Sequence, residues 1–188
     1  MKKPDNMQQN SANHQNGSAA RNKVYRIAIC GFLLAFALLL GYVESFIPFS
    51  FAVPGAKLGL ANMAVVLCLF LLGPKYAVAI SIGRILISSF LFGNSFGLLY
   101  SLLGGIFSFA VMFLYHKYAK GEMLFTSCLG GISHNLAQLF VASVVVKTGV
   151  IFYYLPVLIL VGLMTGLLNG FIAKLIHARI SKVKWMGE

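Results

Sequence analysis

Long apolar runs broken by short polar stretches dominate the chain, and the runs are longer than a core in water requires. Six stand out, at about residues 24–47, 58–73, 76–93, 95–115, 123–146 and 151–177. A helix needs roughly 17 to 25 apolar residues to cross a bilayer. Leu, Ile, Phe and Gly fill the runs without the alternation of barrel strands, so each predicts an α-helix. The second and third are the shortest and are parted only by Gly73-Pro74-Lys75, a tight-turn signal. These two either cross a thinned region or stop short of the far side.

Residues 1–23 follow a different pattern. They are rich in Asn, Gln and Ser, nearly lack apolar side chains, and read as a disordered tail. The first apolar run behind them is too long for a signal-peptide core and lacks a small-residue cleavage site, so it is retained as a span. The domain organisation expected is therefore a tail at 1–23, one transmembrane domain at 24–178, and a basic tail at 179–188.

Composition agrees with the pattern. Hydrophobic residues make up 59% of the chain and charged residues only 10%, with a mean hydropathy of +0.86. A protein folded in water carries about a quarter charged residues. The net charge of +11 is explained by its placement. With the N-terminus in the cytoplasm, the inner side receives Lys2, Lys3, Arg21, Lys23, Arg26, Lys75, Lys117, Lys120, Lys174, Arg179, Lys182 and Lys184. The outer side receives only Lys57 and Lys147, and Arg84 lies within a span. This bias requires an even number of spans, so six helices with both termini inside are expected. Anionic lipid then accounts for the basic charge, and nucleic acid is not needed as a partner.

Several chemistries are excluded. Catalytic prenyl transfer needs Asp-rich clusters that hold Mg²⁺ against a departing diphosphate, and the only aspartate is Asp5. The chain carries no H-E-x-x-H, no G-x-S-x-G and no Walker A sequence, so it is not read as an enzyme and does not itself hydrolyse ATP. Cys30, Cys68 and Cys128 fall in apolar runs with no C-x-x-C spacing, and they read as packing residues rather than a metal site. No metal or cofactor is expected.

Polar residues inside spans are costly, so they are the best guide to function. Arg84 and His134 each lie about halfway along a span running inside to outside, which puts them near one level. Ser127, Gly131, His134 and Gln138 share a face of the fifth helix, with Asn135 beside it. No acid is expected at Arg84's level, which leaves two readings: a hydrogen-bonded clamp between helices, or a cationic site for an anionic ligand. Nearer the outer face, Glu44 ends the first span and Lys57 opens the second, after a connection stiffened by Pro48, Pro54 and Gly55. Glu44 and Lys57 either pair as ions or flank a portal contacted by Lys57 and Asn62.

Small residues mark close helix approach. The first span has Gly31-x-x-x-Ala35 and Ala37-x-x-x-Gly41; the fourth has Gly97, Ser101, Gly104, Gly105 and Ser108; the last has Gly162, Gly166, Asn169, Gly170 and Ala173. Each stripe serves either internal packing or docking to a second membrane protein, and the first span is the better docking candidate.

Three segments carry a family resemblance: PGAKLGLANM (Pro54 to Met63), GNSFGLLYSLLGG (Gly93 to Gly105) and GGISHNLAQL (Gly130 to Leu139). They resemble a small bacterial membrane family, Gx transporter, also known as heptaprenyl diphosphate synthase component I. That family is similar to the substrate-binding S components of energy-coupling-factor transporters. The resemblance spans about residues 24–178. It implies a six-helix S-component-like bundle in the bacterial cytoplasmic membrane, with a substrate pocket near the outer side under the first loop. It also implies docking to a transmembrane coupling subunit driven by two ATPases, a role that Gly31, Ala35, Ala37 and Gly41 would fill.

The function expected is capture of a small polar or anionic solute from the outer face, with Arg84, His134, Asn135 and Gln138 in the deep pocket and Lys57 and Asn62 at its mouth. The alternative is a non-catalytic membrane component of heptaprenyl diphosphate synthase.

Overall fold

One helix, α1 (Asp5–Ser45), carries the first apolar run and continues N-terminally well beyond it. The computed structural model describes residues 5–46, 59–92, 95–119 and 121–181. Residues 5–23, which composition sets apart as a disordered tail, extend α1 without a break. A helix nucleated in the apolar part propagates at little further cost, which is why polar composition does not stop it. The side chains described there, Gly17 and Ala20 to Lys23, are exposed.

The remaining helices are α2 (Leu60–Leu71), α3 (Pro74–Phe92), α4 (Ser95–Ala119), α5 (Met123–Val146) and α6 (Leu155–Ile180). A 3-10 turn, Gly149–Tyr154, leads into α6. No strand occurs among the described residues. All six expected spans are present as helices, and five of them are long and apolar enough to cross a membrane.

The exception is α2. Its 12 residues rise only about 18 Å, well short of the roughly 30 Å hydrocarbon layer. α2 is joined to α3 by a tight turn at Gly73, whose φ of +92° suits glycine, with Pro74 opening α3. α3 has 19 residues and rises about 28 Å, so it does span. The shared turn therefore lies at one surface, and the N-terminal end of α2 lies within the apolar layer. Of the two sequence readings, a short helix that stops inside the bundle is the one realised.

Burial explains how so short a helix persists. Ala61 through Leu69 are all buried, nine residues without an exposed face. A helix that is apolar all round belongs in the middle of its neighbours. α2 accordingly packs on α1, α3, α5 and α6. Val65, Val66 and Leu67 of α2 join Leu33, Ala77, Ile80, Met112 and Ala173 in one core.

α5 and α6 form the most extensive helix pair. A Cβ on Gly166 would lie 2.6 Å from the Cα of Cys128, and one on Gly170 would lie 3.0 Å from the Cα of Leu124. From the other side, a Cβ on Gly131 would collide with the carbonyl oxygen of Gly162. The small residues of the last span are thus spent on internal packing, backbone against backbone.

Candidate functional site

The buried N-terminal end of α2 is a chemical problem before it is a site. The first N–H groups of a helix have no partner within it, and in an apolar layer no bulk water satisfies them. Glu44, near the end of α1, solves this. Its Oε1 accepts from the Gly59 N–H at 2.7 Å and its Oε2 from the Leu60 N–H at 3.1 Å. A carboxylate also suits the positive end of the helix dipole. Both oxygens are therefore occupied by backbone, while Lys57, proposed as the partner of Glu44, lies outside the described residues.

Gly59 is the pivot of this arrangement. Its φ of +65° is a left-handed conformation that glycine adopts at no steric cost. Its carbonyl accepts from the Asn62 N–H at 2.8 Å and from Nδ2 of Asn169 on α6 at 3.0 Å. One residue thus ties α1, α2 and α6 together.

Below this tie sits a polar hollow lined by Gly59, Asn62, Ser127, Gly131, His134, Asn135, Thr165, Gly166 and Asn169. It has room for about one water molecule. α5 supplies four of these residues because Ser127, Gly131, His134 and Asn135 fall on one helical face. Asn135 donates through Nδ2 to the Leu158 carbonyl at 3.1 Å, which fixes α5 against α6. Nδ2 of Asn62 points to the sulfur of Met112 at 3.9 Å, a weak contact from α2 to α4. Ser108 of α4 donates to the Gly130 carbonyl at 2.8 Å.

Gly104 of α4 makes room for the polar face of α5. A Cβ on Gly104 would sit 2.9 Å from Cε1 of His134 and 3.1 Å from Cγ of Gln138. His134 and Gln138 therefore lie against the backbone of α4. Gln138 is 2% exposed, and neither Oε1 nor Nε2 of its amide has a hydrogen-bond partner. On α3, Arg84 is half-buried, and its Nε is fully buried and without a partner. Its guanidinium lies within electrostatic reach of the Glu44 carboxylate. The expectation of an acid-free neighbourhood for Arg84 is corrected here. Glu44 ends the first span in sequence, but the half-length of α2 draws it inward.

The expected pocket residues thus meet in part. Asn62, His134 and Asn135 line one hollow, and Gln138 lies one turn further along α5. Thr165 and Asn169 of α6 were not among the expected site residues, yet they complete the hollow. Asn169 is legible in sequence only as part of a small-residue stripe; its being the one amide in that stripe is the signal that separates it. The docking stripe of α1 divides. Gly31 and Ala35 are exposed, whereas Ala37 is buried and a Cβ on Gly41 would lie 3.8 Å from that of Ala61 on α2. Among the described residues, no three His, Cys, Asp or Glu side chains gather as metal ligands would.

A family model described as heptaprenyl diphosphate synthase component I matches residues 33–176, which take in α2 to α5 whole, the C-terminal part of α1 and most of α6. No curated protein and no solved structure matches the chain.

Proposed function

The chain belongs to the heptaprenyl diphosphate synthase component I family, and from that premise we propose that it is a non-catalytic membrane subunit that captures a small polar solute. It would do so in the bacterial cytoplasmic membrane, entering from the outer face, as the substrate-binding partner of an energy-coupling-factor type uptake system. The observation that carries this reading is the half-length helix α2, whose N-terminal end opens a buried polar region inside an otherwise apolar bundle. Half-helices that end at mid-depth beside polar side chains are a recurrent way for membrane transporters to build a solute site. Such a cluster costs stability unless it is satisfied, and a scaffold has no use for it.

Asn62, His134, Asn135 and Gln138 would contact the solute, Arg84 and Glu44 would set the local field, and Lys57 would stand at the mouth. The exposed pair Gly31 and Ala35 is the part of the α1 stripe left for a coupling subunit, since Ala37 is buried and Gly41 faces Ala61 of α2. Energy would come from ATPases bound to that subunit.

A second reading rests on the family's description, which names a component of a synthase. The chain would then anchor or assist a separate prenyl synthase at the membrane. Native mass spectrometry of the full chain, purified in detergent from its own host, separates the two. A small molecule retained by the chain supports capture. A soluble prenyl synthase retained in place of any small molecule would falsify capture and establish the accessory role.

A further inference from the structure

The buried amide of Gln138 points to the class of solute. This inference rests on the capture reading and narrows it. A Gln amide offers one acceptor oxygen and two donor hydrogens side by side. Here all of them are buried and unpaired. An orphaned amide costs free energy in the empty protein, and burial deep in a membrane removes the water that would otherwise satisfy it. Gln138 is therefore set to form bonds that the closed chain does not make.

Charge narrows the class further. Among the described residues, the two charged groups near the N-terminal end of α2 are Glu44 and Arg84, and they lie within reach of each other's field. Glu44 already occupies the helix end where an incoming carboxylate or phosphate would bind. Among the described residues this pair is opposite in sign and cancels, which leaves no net charge beside the hollow for an anion to answer. The hollow beside it is lined by neutral groups, Asn62, Ser127, Asn135, Thr165 and Asn169, with His134.

We infer that the solute is uncharged and presents a planar edge with a hydrogen-bond donor next to an acceptor, as in a carboxamide, a lactam or a lactam-bearing heterocycle, and that Gln138 pairs with this edge. Two parallel bonds form, from Nε2–H to the ligand carbonyl and from the ligand N–H to Oε1. The hollow holds about one water and Gln138 lies one turn beyond its lining, against Gly104 of α4, so the guest reaches Gln138 by an outward movement of α4 or α5 at that contact.

The test compares the full chain in detergent with Gln138→Leu and Gln138→Asn, using benzamide, uracil and benzoate as probes and thermal unfolding as readout. Benzamide and benzoate match in shape and differ in charge and in the donor. The wild type should be stabilised by benzamide and uracil at millimolar concentration and not by benzoate. Gln138→Leu should melt higher than the wild type without ligand, by about 2–4 °C, because the orphaned amide is gone, and should no longer respond to benzamide. Gln138→Asn keeps the amide on a shorter stem and should retain a weakened response. A lower melting point for Gln138→Leu without ligand would make the amide a structural group and overturn the proposal. So would stabilisation by benzoate equal to that by benzamide, or no response to any amide probe. In those cases a solute retained in native mass spectrometry would still uphold capture, whereas its absence would remove both.

Discussion

Glu44 shows how much one residue decides in this protein. It is the only carboxylate in the apolar part of the chain, and its sequence position suggests a surface ion pair. In the structure its two oxygens instead satisfy the N–H groups of Gly59 and Leu60 across 15 and 16 residues of sequence. Glu44→Ala would orphan both donors at a half-buried helix end. It should cost about 1–3 kcal/mol in reversible unfolding from mixed micelles. Glu44→Gln keeps one accepting oxygen and should recover part of that loss. Equal destabilisation by both variants would mean that the charge at the helix end, and not the hydrogen bonds, is what matters. Asn169 acts on the other face of Gly59. Asn169→Leu should cost less, about 0.6 kcal/mol, the usual size of one interhelical hydrogen bond in a membrane.

At the scale of elements, the helices divide by what they pack against. α5 and α6 approach through glycines, so their contact has no slack. Gly166→Ala forces a methyl group toward the backbone of Cys128, an obstacle that no rotamer change relieves. It should destabilise by about 1–3 kcal/mol, with the loss visible as faster hydrogen exchange in both helices. Gly31→Ala, on the exposed side of α1, meets nothing within 4 Å and should leave the isolated chain's stability unchanged. A Gly31→Leu variant that folds normally yet loses a co-purifying membrane subunit would mark the exposed stripe as a docking face. Retention of such a subunit would leave Gly31 as a lipid-facing residue.

The whole molecule is an apolar bundle around one short buried helix, and the orientation proposed for it rests on charge rather than packing. Twelve of the 15 Lys and Arg residues fall on the side assigned to the cytoplasm. With Cys30, Cys68 and Cys128 replaced by Ala, a single cysteine at Thr148 should react with an impermeant maleimide added to intact cells. One at Ser181 should react only after the membrane is opened. Labelling of Ser181→Cys from outside would invert the orientation and move the buried end of α2 toward the opposite face.

Sequence alone determined the helical class, the number of helices and nearly all of their ends, because apolar length and turn residues are local properties. It also picked out Asn62, His134 and Asn135, since a polar side chain within an apolar run is conspicuous wherever the run packs. Tertiary structure decided the rest. The continuation of α1 through residues 5–23 depends on helix propagation that composition does not weigh. The short reach of α2, the capture of its N-terminal end by Glu44 and the inclusion of Thr165 and Asn169 all depend on which helix is enclosed by the others. Hydropathy measures how apolar a segment is, and it is blind to neighbours. The depth at which a helix ends, and the partners that satisfy its first N–H groups, are set by packing between residues far apart in the chain.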